Sequence, residues 1–360
     1  MSEFDQPADS SPDSSGEPHR RRPRYSGRNP RQFHEKYKEH APELYPDDVA
    51  KVLESGKTPA GTHRPIMVRE ILEVLAPRAG ETVVDCTLGY GGHARELLEA
   101  VQPGGRLLGV DADPIELPKT EARLRALGFP NEAIVVRRMN YAGAAQFVAA
   151  EAYEGVDMVL ADLGLSSMQI DDPARGFTFK ADGPLDMRMN PNRGLSAAGL
   201  LAKLDAEELQ KLLTDNSDEP FARELAAAIT REQERRPLTT TGELAYVVRT
   251  ATERHLRRND EATPDDSVRR VFQALRIAVN DEFGALDTFL KQLPTMLKPG
   301  GRVAILSFHS GEDRRVKKAF KQGLASGEYS RIADDIVRAS PEEQRANPRS
   351  GPAKLRWAVR

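Results

Sequence analysis

The chain has 360 residues, 39% hydrophobic and 30% charged, enough for about two domains and a sizeable core. A formal net charge of −3 names no partner, and the single cysteine, Cys86, excludes an internal disulfide framework and a cysteine-based zinc site. No apolar run approaches the ~20 residues that span a bilayer, and no apolar signal segment stands near residue 1, so a cytoplasmic protein with no membrane partner is expected.

Residues 1–18 carry five acidic residues and no Lys or Arg among many Ser and Pro, the composition of a disordered segment. Residues 19–40 reverse the sign, with eight Lys/Arg against two Glu, and interleave Tyr25, Phe33 and Tyr37. Such a stretch touches RNA or stays a solvated tail, and the composition slightly favours the tail.

Order is expected from Thr62. Residues 63–77 have helical apolar spacing that stops at Pro77. Strands are expected at 82–88, 106–112, 133–139 and 156–165, alternating with helices at 92–101, 114–127 (weakened by Pro118) and 142–152. Near-continuous Val, Leu and Ile in the strands means burial on both faces, as in a parallel sheet, and the alternation is that of a doubly wound α/β fold. From 173 to 264 only helices and loops follow, among them one opened by an Asp205/Glu208 capping box. Ser267 is expected to cap one long helix over 268–293. A turn at 298–301, a buried strand at 301–308, a helix from Arg314 and a closing strand at 354–360 complete the chain. The sheet is therefore interrupted by an inserted helical unit.

The loop after the first strand, DCTLGYGGHA (85–94), places Gly89, Gly91 and Ala94 in the dinucleotide-binding pattern G-x-G-x-x-G/A. Gly91 and Gly92 let backbone approach a ligand without a Cβ in between. Asp111, 22 residues after Gly89 at the end of the second strand, suits two ribose hydroxyls, which NAD and S-adenosylmethionine both carry. Asp85 is expected to face the same crevice, where a diphosphate would meet about 4 kcal/mol of repulsion at ~4 Å and an effective dielectric near 20. A sulfonium and an ammonium would instead be attracted. Asp162, ending the fourth strand, is a third acid aimed at the crevice. Each Asp alone is explained by a cap or loop hydrogen bond; three at consecutive strand ends favour a site for a cationic cofactor. His63, His93 and His309 show no metal-ligand spacing, so no metal is expected.

The segment 162–191 combines Asp171, Asp172, Asp182 and Asp186 with Arg175, Lys180, Arg188, Phe177 and Phe179. Its length beyond ~12–15 residues argues against a passive connection. The basic residues could hold phosphates and the rings stack on a base, or the charges could pair internally. After the fifth strand, Ser307, His309 and Ser310 are expected to point into the crevice, but the absence of a G-x-S-x-G elbow argues against serine catalysis. Arg314, Arg315, Lys317 and Lys318 form a basic helix start that meets phosphates or solvent.

These residues fall into motifs of a known family. LGYGGHA (88–94), GVDADP (109–114), DLGLSSMQIDD (162–172), DGPLDMRMNP (182–191), RRPLTTTGELA (235–245), VFQALRIAVNDE (271–282) and LKPGGRVAILSFHSGEDR (297–314) follow one another as in the ribosomal RNA small-subunit methyltransferase H family, of the MraW type, which the chain resembles over about 62–356. The resemblance implies a class I S-adenosylmethionine-dependent methyltransferase fold, Rossmann-like, with an inserted helical domain. The corresponding divisions are a disordered extension at 1–61, a methyltransferase domain at 62–172 and 265–360, and a substrate-recognition insertion at 173–264. It implies methylation of N4 of a cytosine in 16S rRNA of the small ribosomal subunit, and it leaves a homodimer open.

Carried over position by position, the family's cofactor contacts fall on Gly91, Gly92, His93, Asp111, Tyr141, Asp162 and Gln169, with Tyr141 in place of a usual Phe. The reading of the residues adds Asp85. Asp162, with the carbonyls of Leu163 and Gly164, is expected to accept from N4, and His309 to orient the base or relay the proton. Departures are Cys86 for a usual Gly, Gly311 for a usual Leu, Asn190 for a usual Asp, DDSVRR from Asp265 for a usual HPATR, and an N-terminal extension that is unusually long. Two competing readings stand beside this one: an NAD-dependent oxidoreductase, and a catalytically idle RNA-binding protein.

Overall fold

The structure is a computed structural model and describes residues 65–256 and 262–360. The 1–61 extension, with its basic stretch, and His63 lie outside these residues.

The chain enters through α1 (Val68–Leu75). It then alternates β1 (Thr82–Asp85), α2 (Gly92–Ala100), β2 (Arg106–Asp111), α3 (Leu117–Arg125), β3 (Ile134–Arg138), α4 (Ala144–Glu151) and β4 (Val156–Asp162). Pro118 does not weaken α3: it stands in the first turn, where a missing N–H breaks no helical bond. A short α5 (Ser167–Asp171) precedes four helices, α6 (Ala197–Leu201), α7 (Ala206–Ser217), α8 (Ala222–Arg235) and α9 (Thr241–Glu253). The chain returns through α10 (Pro264–Asn280) and α11 (Glu282–Met296) to β5 (Leu297–Ser307), α12 (Ser310–Ser326), β6 (Arg331–Ile332), α13 (Pro341–Ala346) and β7 (Lys354–Val359).

The seven strands lie in the order β3-β2-β1-β4-β5-β7-β6. β1 to β5 are parallel, and β7 runs antiparallel to both neighbours. This is the doubly wound parallel sheet expected from the alternation of strands and helices. Successive strand residues serve opposite faces. Val84, Leu108 and Val159 pack with Phe147 of α4 and Phe289 of α11 on one face. Val83, Leu107 and Met158 pack with Leu97 of α2 and Ile71 of α1 on the other. The strand order reverses between β1 and β4, and the crevice at their carboxyl ends is where such sheets bind ligands.

A third core joins Leu209, Leu213, Leu225, Ile229, Leu244 and Val248 of the inserted helices to Val268, Val271 and Leu275 of α10. α10 thus packs with the helical unit, beyond the residue 264 at which the insertion was expected to end. Ser267 does not cap this helix: it is buried inside it and donates to Glu219 at 3.0 Å. The cap is Thr263, whose N–H donates to Asp266. Nor is 268–293 one helix, because Asp281 takes a left-handed conformation (φ 48°) between α10 and α11. The expected turn at 298–301 is an irregularity within β5, whose pairing with β4 shifts register there. Among the described residues no helix is long and apolar enough to cross a membrane.

Candidate active site

A cavity of about 540 Å³ opens at the carboxyl ends of β1, β2, β4 and β5. Its volume falls in the range of small-ligand sites. It brings together Gly91, Gly92, His93, Asp111, Tyr141, Asp162, Gln169 and His309. Asp85 is not in its wall, contrary to expectation. Strand register gives the reason: Asp85 is level with Gly109 and Leu160, two residues short of Asp111 and Asp162. At ~3.3 Å per residue it lies some 6–7 Å deeper. Its carboxylate, 1% exposed, instead accepts from the Thr87 N–H at 3.0 Å. Burial pushes its pKa up to about 6, against the pull of that N–H and of His93.

The glycines owe their place partly to the protein itself. Gly91 has φ +88°, and a Cβ there would lie 2.9 Å from Thr120 Cγ2; one on Gly92 would lie 2.8 Å from the Pro65 ring. Cys86, also in the wall, is buried, and burial followed by the nearby Asp85 pushes its thiol well above the ordinary range.

Asp111 accepts the Gly89 N–H and the Asp113 N–H, each at 2.8 Å and on different oxygens, which leaves a lone pair on each for a ligand. Burial raises its pKa against those two bonds. Tyr141 stands edge-on to Phe289 at 5.6 Å and donates to the Glu282 carbonyl. Gln169 closes the capping box of α5 with Ser166 and donates to Asp113 Oδ2 at 2.8 Å, so part of its polar capacity is structural.

Asp162 ends β4 at the cavity floor. Its Oδ1 is buried with no hydrogen-bond partner, and its Oδ2 lies 3.6 Å from His93 Nδ1. Burial, then the charge of Glu312, pushes its pKa up to about 7. Raised from 3.8, protonation of Asp162 contributes stability that is present below about pH 4 and lost as pH rises through about 7. Asp162→Asn is therefore expected to stabilise the cofactor-free protein at about pH 8 and to leave it unchanged near pH 3.5, measured as urea midpoints at both values.

His309 N-caps α12, tilts against Phe283 at 5.8 Å, and places Nε2 3.2 Å from Glu312. Ser307 and Ser310 do not join it: Ser307 is buried and donates to the Lys354 carbonyl, and Ser310 donates to Asp218. Glu282, His309 and Glu312 place ligand-type atoms within 4.8 Å of one another. Arg276, however, takes both oxygens of Glu282 at 2.8 and 2.9 Å, so the group already holds its cation. Burial pushes the Glu312 carboxyl up, but His309, Arg276 and the Phe308 N–H together hold it below the usual range.

The long segment after β4 is mostly held by its own chain. Arg175 donates to Asp113 at 2.9 Å and to the Met189 carbonyl at 2.8 Å, and Arg188 grips Asp186 with two bonds. Phe177 is in the helical core and Phe179 meets Phe272 at 5.4 Å. Neither ring is presented to a base, and Lys180 alone of the three cations stays exposed. Asn280 ties the segment to α10 by bonding Met187 and Met189. Of the basic helix start, Arg314 pairs with Asp218 and Arg315 lies over Phe283 at 3.6 Å. Gly311 leaves room for that ring, since a Cβ there would come within 2.6 Å of Phe283 Cζ.

The expectations from sequence omitted Asp113, Arg276, Glu282 and Glu312. Each stood in a quoted motif, but their partners are brought in by the fold. The wall holds six carboxylates (Asp111, Asp113, Glu116, Asp162, Glu282, Glu312) against two guanidiniums, Arg276 and Arg349. Arg175, Lys119 and Arg276 pair with Asp113, Glu116 and Glu282, while Arg349 pairs with Asp171. Among the described residues no Lys or Arg forms an ion pair with Asp111, Asp162 or Glu312. The cavity is therefore electronegative and fits a cationic ligand better than a diphosphate.

Two relatives are similar along nearly the whole chain. The ribosomal RNA small subunit methyltransferase H 1 of Lachnoclostridium phytofermentans is 48% identical over 343 residues, covering 95% of this chain and 93% of the relative. The ribosomal RNA small subunit methyltransferase H 2 of Alkaliphilus metalliredigens is 48% identical over 349 residues, covering 97% and 99%. At 349 of 360 residues, that alignment takes in most of the segment before residue 62, so the expected unusual length of the extension does not hold against this relative. A solved structure, a SAM-dependent O-methyltransferase of Thermotoga maritima, is similar at a TM-score of 0.38 and 11% identity, covering 88% of this chain and 71% of that one. The model of the MraW methylase family matches residues 60–360, and the chain belongs to that family.

Proposed function

We propose that this protein transfers the methyl group of S-adenosylmethionine to N4 of a cytosine in 16S rRNA of the small ribosomal subunit. Family membership and the names of the relatives support rRNA methylation. The observation that carries the choice of cofactor is the electronegative wall, with Asp111 and Asp162, at the ends of the strands on either side of β1, free of Lys and Arg partners among the described residues. When bound, S-adenosylmethionine supplies an electrophilic methyl whose bond to sulfur breaks, with its electron pair left on sulfur, as the bond to N4 forms.

The chain's own residues do the rest. Asp111 offers lone pairs to ribose hydroxyls, Tyr141 and Gln169 line the adenosine end, and Gly91, Gly92 and His93 border the amino-acid end. The N4 lone pair of cytosine is delocalised into its ring, so the amine must be held in line with the methyl at near-attack distance. The Asp162 carboxylate lines this cavity and is the acceptor for N4–H, with the Leu163 and Gly164 carbonyls beside it. An acceptor there localises the lone pair on nitrogen. His309 lines the same cavity and orients the base. The base must leave its stack to reach this floor. The inserted helices, with α10 contributing Gln273, Arg276 and Asn280 to the wall, form the substrate-recognition unit.

Calorimetry separates this reading from the NAD-dependent one: S-adenosylmethionine is expected to bind and NADH not. Asp111→Ala is expected to weaken S-adenosylmethionine binding by about 10- to 100-fold, the worth of hydrogen bonds to a charged acceptor. Transfer of labelled methyl to small-subunit particles from a strain lacking the gene then separates an enzyme from an idle RNA-binding protein.

A further inference from the structure

His93 belongs to the cavity wall, but its geometry points to more than contact with a cofactor. Its Nε2 lies 2.8 Å from the Ile66 carbonyl oxygen, which only accepts, so Nε2 carries the hydrogen. The neutral ring then leaves a bare lone pair at Nδ1, 3.6 Å from Asp162 Oδ2 and just beyond hydrogen-bond range. A carboxylate oxygen is also an acceptor. Two acceptors facing each other in a recess repel unless one proton lies between them.

We propose that His93 and Asp162 form a proton-sharing couple, in which His93 Nδ1 takes over the proton that Asp162 receives from cytosine N4. This rests on the functional reading above. Each transfer leaves one N–H proton to be removed. The N4–H bond breaks with its electron pair staying on nitrogen, and the proton passes to Asp162 Oδ2, the oxygen beside His93. It is then shared from Oδ2 to Nδ1 and returns to solvent when the product leaves. The acids around the couple favour uptake of that proton, against burial, which lowers the pKa of His93 overall. Asp85 and Glu312 face Asp162, and Asp85, Glu343 and Glu96 face His93; all of these are acids. His309 and Arg276 stand beyond Glu312 and offset part of its charge. His93 is itself buried, which holds its ring neutral and ready to accept. In this scheme His93 is a positioning residue that acts through Asp162.

His93→Gln tests it, because the glutamine amide keeps a donor for the Ile66 carbonyl and lacks the Nδ1 acceptor. The expected result, at saturating cofactor, is a single-turnover rate lower by about 10- to 100-fold and an acidic limb of the pH–rate profile moved down by about one unit. The limb moves down because the protonated form of Asp162 has lost its acceptor. An unmoved limb would overturn the proposal and leave His93 as a cofactor contact only. Nitrogen-15 NMR of the histidines in the cofactor-free protein gives a readout that needs no turnover. The expected signal is an Nε2–H ring at neutral pH whose Nδ1 shift titrates and loses that titration in Asp162→Asn. An Nδ1–H tautomer, or a titration unchanged by Asp162→Asn, would overturn the couple. Absence of any transfer by the unaltered protein would instead overturn the functional reading and with it the catalytic use of the couple.

Discussion

Asp162→Asn is expected to lower the single-turnover rate of methyl transfer by about 10²–10⁴ at saturating cofactor, the usual worth of a positioned proton acceptor. The carboxamide matches the carboxylate in size, so the packing at the end of β4 is kept. What it loses is the charge and basicity of the carboxylate. A base poised near neutral pH combines availability with driving force, and burial together with Glu312 brings Asp162 to about 7. The rate of the parent should therefore rise with pH through that value, as the acceptor loses its proton. The same substitution is expected to stabilise the cofactor-free protein at high pH, so loss of rate and gain of stability go together. Near-parent turnover of Asp162→Ala at saturating cofactor would remove Asp162 from the acceptor role.

Asp113→Ala is expected to cost about 3–5 kcal/mol of stability, measured from urea unfolding, because it leaves a buried guanidinium unpaired. Asp113 is 1% exposed and gathers four contacts from different parts of the chain. Oδ1 accepts the Ile115 and Glu116 N–H groups at the start of α3; Oδ2 accepts Gln169 Nε2 and Arg175 Nη1. Through this one carboxylate the end of β2 is tied to α5 and to the long segment behind it. Asp113→Asn, which keeps an acceptor and loses the charge, is expected to fall between parent and Ala. A loss below about 1 kcal/mol for Ala would mean that Arg175 finds another partner or water.

The sheet was legible because its strands are short apolar runs separated by helical periods, a pattern that burial on both faces imposes. The site was legible as far as strand ends go: Asp111 and Asp162 were found from their place after a buried run. Asp85 was misplaced for the same reason. Sequence shows that a residue ends a strand, but register decides how deep the end lies, and β1 stops two residues short of its neighbours. The break at Asp281 was hidden because an aspartate in the left-handed conformation looks like any polar residue between helical periods. Phe177 and Phe179 carried a functional look by composition alone, and it was the inserted helices that claimed them for a core. Glu312 comes near the Arg276–Glu282 pair across some thirty residues of chain, and Glu282 meets Arg276 only because the break at Asp281 turns the chain back, so no helical spacing announced them.

The central claim is that the floor at Asp162 directs a methyl group to cytosine N4. It is tested most directly by nucleoside mass spectrometry of 16S rRNA from small-subunit particles of a strain lacking the gene, treated with S-adenosylmethionine and either the parent or Asp162→Asn. The expected product is N4-methylcytidine at a single position with the parent, and a yield lower by about 10²-fold or more with the variant at matched short times. A methyl group on a ring carbon, a ribose oxygen or another base, or equal yields from the two proteins, would contradict it.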